Sequence, residues 1–177
     1  MIITIDEIKA HVDCGDLKDP VILTRLKAIE GVIRAYTNNN FQVRDARFRA
    51  MSSDGVLLAA SPYIGMGDTI EISQSSVNDG IYTVISVEDD KTAVDRFIYP
   101  LGCNLVTKIV YPADVKQCAI DLFKWKMNFG DKVGIKSESE TLSRHSESVS
   151  YEDSSTLFMG YPTGILKGLA LHQKARF

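Results

Sequence analysis

The sequence is poor in the residues on which most protein chemistry depends. Its three cysteines, Cys14, Cys103 and Cys118, are an odd number without CxxC spacing, which argues against a disulfide framework and predicts reduced thiols inside a cell. Its three histidines, His11, His145 and His172, stand far apart. No HxxxH or HExxH pair would set two imidazoles on one helix face, so no metal site is expected. Neither sign of charge dominates, since 20 basic and 23 acidic residues leave a formal charge of −3. Proteins that grip a phosphate backbone draw their affinity from a basic excess, so bulk nucleic-acid binding is not expected. No apolar run approaches the roughly 20 residues that cross a bilayer. The opening MIITIDEIKA carries acids where a signal peptide carries a basic region.

What is present reads as ordinary globular composition, 45% hydrophobic and 24% charged over 177 residues, enough for one compact core or two small ones. Thr4 and Glu7 have capping-box spacing, which predicts a short helix ending near Cys14-Gly15. Asp19-Pro20 reads as the start of a longer helix. Ile22, Leu26, Ile29, Ile33 and Tyr36 then recur at steps of three and four, and Asn38-Asn39-Asn40 stops the run.

After Phe41 the texture changes to short alternating runs divided by turn residues. Strands are expected over Arg44–Ala50, Val56–Ala60, Thr69–Ser73, Ile81–Val87, Arg96–Tyr99 and Leu105–Val110, with Asn78-Asp79-Gly80 as a hairpin signal. Strands of this length and spacing suggest a small antiparallel barrel or sandwich. A second long helix is expected from Ala113 to Phe129. Its apolar face of Val115, Cys118, Ala119, Leu122, Phe123 and Trp125 is too wide for a lone surface helix, and should pack on the helix before Asn38.

From Ser137 to Ser155 the chain holds eight Ser, four Glu and one Asp with only Leu142 and Val149 as aliphatics, so it reads as a flexible arm. Within it Val149-Ser150-Tyr151, and just before it Val133-Gly134-Ile135, have the character of weak strands that need an edge from a partner. Gly160-Tyr161-Pro162-Thr163-Gly164 is a turn. Ile165, Leu166, Leu169 and Leu171 then make a short amphipathic helix before the basic, aromatic ending Lys174-Ala175-Arg176-Phe177.

No stretch reads as an active site. Ser143-Arg144-His145 lies in the softest part of the chain, whereas a nucleophile needs a rigid elbow and an oriented base. Cys14 and His11 lack an orienting third group. Glu88-Asp89-Asp90 and Asp95 do not alternate as calcium ligands do, and read as a solvated turn. Gly65-Met66-Gly67-Asp68 precedes a strand, so it lacks the helix N-terminus that lets a glycine-rich loop hold phosphate. No enzyme, cofactor or metal is expected.

Three stretches together resemble the phage head–tail connector family of Gram-positive phages and prophages. One is the N-terminal helix pair with Asp19-Pro20-Val21-Ile22. The second is Ala119-Ile120-Asp121-Leu122-Phe123-Lys124-Trp125-Lys126-Met127-Asn128 followed by Gly130 to Glu138. The third runs from Ser143-Arg144-His145-Ser146 through Val149-Ser150-Tyr151 to Gly160-Tyr161-Pro162 and Lys174-Ala175-Arg176-Phe177. The β-rich segment is where the chain departs from shorter, mostly helical members.

Pattern and resemblance together predict an α+β fold: a small bundle of α-helices with an inserted antiparallel β module, a barrel or sandwich, and an extended Ser-rich arm. Residues 1–41 and 112–136 would form a helical connector core, 42–111 the β module, 137–156 a flexible arm and 157–177 a C-terminal docking segment. The resemblance also implies a structural protein forming a homo-oligomeric ring of about a dozen copies below the portal. That ring would extend the DNA channel, let duplex DNA pass without specific binding, and meet the portal protein and the next adaptor or tail protein. It would assemble in the host cytoplasm and end in the virion neck, with no membrane partner. Arg144, His145, Val149, Tyr151, Tyr161, Lys174, Arg176 and Phe177 are the expected docking residues.

A reading of a different class is a nucleic-acid- or ligand-binding module of the OB-barrel kind. It would use Phe48, Tyr63, Tyr82, Phe97 and Tyr99 with Arg44, Arg47, Arg49 and Arg96.

Overall fold

The computed structural model describes residues 1–130, 137–142, 145–150 and 156–175, with the strands inside 137–150 described by backbone alone. The chain divides into two compact units. One comprises Met1 and Asn40–Tyr111, the other Ile2–Asn39 and Pro112–Phe177.

The first unit is a closed antiparallel barrel. Its strands are β1 (Gln42–Ser53), β2 (Val56–Leu58), β3 (Thr69–Ser73), β4 (Gly80–Glu88), β5 (Lys91–Val94) and β6 (Leu101–Ile109), in the order β1-β2-β5-β4-β3-β6 with β6 returning to β1. β1 makes the closure possible. It pairs with β6 along most of its length and with β2 at its end, Met51 opposite Leu58. Register shifts between Gln42 and Arg47 and between Ala50 and Ser52 bend it around the corner, which is what bulges do in small barrels. Alternation then sets the inside. Ala50, Leu57, Ile70, Ile72, Val84, Val94 and Val106 form the core with Ile64, Tyr82 and Ile98, and Phe48 packs against it. Glu88 pairs with Lys91, so Asp89-Asp90 is the turn that the acidic run predicted.

The closed barrel corrects the expected fold class. A small helical bundle with an inserted module and an extended Ser-rich arm is not what forms. The fold is a mixed α+β one in which six strands close on their own core and the described helices number four. The physical reason is that the barrel interior needs no cover from helices, because strand pairing and side-chain alternation complete it. The expected strand Arg96–Tyr99 is also corrected. The pairing strand is Lys91–Val94, and residues 95–100 run on as an irregular segment. The Ser-rich arm is in part paired. β7 (Ser137–Leu142) and β8 (His145–Ser150) form an antiparallel hairpin with Ser137 opposite Ser150 and Leu142 opposite His145. Its backbone groups bond across the ladder, which the low apolar content of the segment did not reveal.

In the second unit α1 (Ile5–His11) begins with the capping box read from sequence. Thr4 Oγ1 accepts from the Glu7 amide at 3.2 Å, and the Glu7 carboxylate accepts from the Thr4 amide at 2.8 Å. α2 (Asp19–Thr37) carries Pro20 in its first turn and buries Ile22, Leu26, Ile29, Val32 and Ile33. It stops at Asn38, which adopts the left-handed conformation at φ 48°. α3 (Ala113–Phe129) buries Val115, Cys118, Ala119, Ile120, Leu122 and Phe123, and packs on α2. The Arg25 guanidinium of α2 reaches the Met127 sulfur of α3 at 2.9 Å. The chain then forms β9 (Leu157–Phe158) and β10 (Tyr161–Pro162), α4 (Thr163–Leu166) and a 3-10 helix over Lys167–His172. Leu166 and Leu169 are fully buried.

Candidate docking surfaces

The C-terminal segment is clasped by the end of α2. The αL turn at Asn38 ends the helix where the C-terminal segment lies against it. Thr37 O accepts from the Lys174 amide at 2.8 Å. Asn38 Nδ2 donates to Lys174 O at 3.3 Å and Ala175 O at 3.1 Å, and Asn39 Nδ2 donates to His172 O at 3.1 Å. One residue earlier on the segment, Leu171 is 95% exposed. The His172 ring meets the Asp114 carboxylate, in the first turn of α3, at 2.6 Å.

The hydrogen bond from His172 holds the Asp114 carboxyl below its ordinary value, against a smaller opposing effect of burial and with help from the Val115 amide. An acid depressed in the folded state stabilises fully above its unfolded pKa and ceases to do so as pH falls through the folded one. Asp114→Asn should therefore flatten the stability curve below about pH 4. Urea midpoints measured across that range check this. An unaltered acid limb would refute the linkage.

The expected docking residues fall in different settings. Tyr161 is buried, its ring 6.0 Å from that of Trp125, and burial pushes its phenol up despite nearby Arg25. Lys174 sits in the clasp, exposed beyond its bonded amide. His145 and Val149 lie on β8, opposite Leu142 and Glu138. Arg144, Tyr151, Arg176 and Phe177 lie outside the described residues. Among the described residues no three His, Cys, Asp or Glu side chains gather as a metal-ligand set. Cys118 is buried, and desolvation pushes its thiol up to about 12, so it is a packing residue rather than a nucleophile.

The barrel carries a second surface. The aromatic set read from sequence separates into two groups. Tyr82 and Phe48 face the core, while Tyr63, Phe97 and Tyr99 are about 60% exposed, at 62%, 64% and 58%. Phe97 and Tyr99 stand edge to face, with ring centres 5.4 Å apart. Two of the four arginines have partners of their own. Arg47 is tied to Gln42 and Thr107 on β1 and β6. Arg96 donates to the Ile81 carbonyl and lies 4.4 Å over the Tyr82 ring.

A buried amide network mounts this aromatic pair. Asn78, 1% exposed, accepts from the Tyr99 amide at 2.8 Å and donates to the Tyr99 carbonyl at 3.0 Å, so one side chain pairs with both polar groups of one backbone residue. It also donates to Asn104 Oδ1 at 2.9 Å. Asn104, fully buried, donates in turn to Ala50 O and Ser52 Oγ, and Ser52 donates to Tyr99 O at 2.7 Å. The Tyr82 hydroxyl donates to Asn78 O. In the sequence Asn78 reads only as a turn residue, and nothing marks Asn104. The partners lie 21 and 26 positions away, and no local signal announces them. No protein-family model and no curated protein matches this sequence.

Proposed function

We propose that the chain is a structural head-completion protein of a tailed phage or prophage, which assembles as a ring below the portal, extends the DNA channel and joins head to tail. One observation carries the reading. The stretches that resemble connectors, the first parted from the other two by the whole barrel segment, belong to one compact unit, Ile2–Asn39 with Pro112–Phe177. In that unit the resembling C-terminal segment is held against the end of α2 through Thr37, Asn38 and Asn39.

Ring formation needs two different faces on each subunit, since cyclic assemblies use heterologous contacts. The hairpin of β7 and β8 and the clasped C-terminal segment are two such elements. A net charge of −3 is compatible with a channel that DNA slides through rather than sticks to. Electron microscopy and light scattering of the purified protein, alone and with its portal, test the reading, with rings or a portal complex as the expected result. A chain lacking residues 137–155 should keep its thermal transition and lose assembly. A strict monomer that ignores the portal would sink the proposal.

The binding-module reading draws on the exposed Phe97 and Tyr99, while Arg47 and Arg96 are engaged within the barrel. Tight, salt-sensitive binding of single-stranded DNA to the barrel would put it first.

A further inference from the structure

The sequence contains two Asp-Gly bonds, Asp54-Gly55 and Asp79-Gly80, and no Asn-Gly. Aspartate before glycine is where a peptide rearranges most readily, because no Cβ on the following residue hinders its nitrogen from reaching the aspartyl carboxyl carbon. A fold decides which of two such bonds reacts, through what it does to the carboxyl group and to the glycine peptide. Here the two bonds are held in opposite ways.

Asp79 is tied down. Its Oδ1 accepts from the amide of buried Ser75 at 2.9 Å and from the Ser75 hydroxyl at 3.0 Å. Those bonds favour the ionised form, which is the unreactive one, and hold the carboxyl below its ordinary value. Gly80 opens β4 opposite Ile72 of β3, so its peptide is fixed in the sheet. Asp54 is exposed at the tip of the β1–β2 hairpin. Ser53 pairs with Val56, so Asp54 and Gly55 form a two-residue turn whose own amides stand outside the ladder. Both φ angles are left-handed, 52° and 82°, a conformation that glycine bears freely and an aspartate does not. The Asp54 carboxylate receives the hydroxyl of adjacent Ser53 at 3.2 Å, a partner belonging to the same hairpin end.

We propose that Asp54-Gly55 is a site of spontaneous covalent modification, at which the folded chain rearranges to an isoaspartyl linkage while Asp79-Gly80 is protected. The Gly55 nitrogen attacks Cγ of the protonated Asp54 carboxyl. The hydroxyl leaves with the nitrogen's proton as water, and a five-membered succinimide closes. Water then adds to one ring carbonyl. Opening at the side-chain carbonyl restores aspartate, whereas opening at the main-chain carbonyl leaves the peptide running through Cβ and Cγ beside a free α-carboxylate. One water leaves and one returns, so mass and formal charge are unchanged. The product adds one carbon to the main chain of a tight turn, which disturbs the Ser53–Val56 pairing. It also disturbs a close fit, since a Cβ on Gly55 would stand 3.2 Å from the Phe97 ring. β2 holds three residues, with Leu57 in the barrel core, so the change weakens the barrel at its shortest strand. The site does not depend on the connector reading.

The test is incubation of the purified full chain at about pH 5, where exposed aspartyl carboxyls are partly protonated, then labelling with an isoaspartyl methyltransferase. Digestion after glutamate parts the two bonds at Glu71, so each is read separately. A second sample incubated in urea reports the same bonds without the fold, and both should take up label there. In the folded chain the peptide holding Asp54 should carry at least about fivefold more label than the one holding Asp79, the factor that one lost hydrogen bond is worth. Asp54→Glu, whose longer side chain closes no five-membered ring, should remove the label there while keeping the circular dichroism of the folded chain. A folded chain without label at Asp54 would overturn the proposal, and so would equal label at the two bonds.

Discussion

Phe123→Ala is expected to destabilise the unit built on α2 and α3 by about 3–5 kcal/mol, the range seen when a buried aromatic is truncated in a close-packed core. Phe123 is fully buried at the centre of α3, flanked on the same face by Ala119, Leu122 and Ile120. Removing its ring deletes the transfer free energy of the lost atoms and leaves a cavity that the two helices cannot fully close. Net stabilities of domains are of the order of 5–15 kcal/mol, so the loss is a large share of the total. Urea unfolding followed by helix circular dichroism measures it. Phe123→Leu, which keeps most of the volume, should cost less than about 1.5 kcal/mol. If the alanine variant lost no more than the leucine variant, the packing described for α3 would be wrong.

Asn78→Ala should cost about 2–4 kcal/mol, by a different mechanism. The substitution removes no core volume of note but leaves the Tyr99 amide and the Asn104 carbonyl oxygen without their partner. Stranded buried polar groups cost more than the net gain from the bonds they once made. Asn104→Ala should be similarly harmful, and the double variant should lose clearly less than the two single losses combined, because the residues belong to one network. Additive losses, or a loss below about 0.5 kcal/mol for Asn78→Ala, would show that water replaces the amide at no great cost. Near-ultraviolet circular dichroism gives a second reading, since Tyr99 and Phe97 should lose their fixed environment.

These two residues also show what can be read from a sequence and what cannot. Phe123 was legible. It sits on a helical stripe, and α3 spans Ala113–Phe129 as the spacing predicts. The capping box at Thr4, the arrest of α2 at Asn38 and the strand Thr69–Ser73 were legible for the same reason: each is decided by neighbours within four residues. Closure of the barrel was not. It depends on β1 meeting β6 across 49 to 67 positions and on two register shifts that no alternation pattern marks. The irregular path of residues 95–100 escaped notice because Phe97 and Tyr99 have strand-like composition yet face water. Asn78 is the clearest case. Its neighbours Asp79 and Gly80 announce a tight turn, yet β3 and β4 are joined by residues 74–79 with the positive φ at Gln74 and Ser76, and the buried work of the Asn78 side chain is with Tyr99 and Asn104.

The clasp at the end of α2 has a mechanical consequence. Its four hydrogen bonds, from Lys174 to Thr37, from Asn38 to two successive carbonyls and from Asn39 to His172, fall within four residues of chain. Tension applied along the C-terminal end would load these bonds together before it reached the 3-10 helix behind them. Bonds that share a load in this way yield as one unit, whereas bonds met singly open like a zipper. None of the four involves an ionised group, so the grip holds at any salt concentration. The His172 ring meets the Asp114 carboxylate at the inner end of the same clasp, so the first turn of α3 shares in anchoring it.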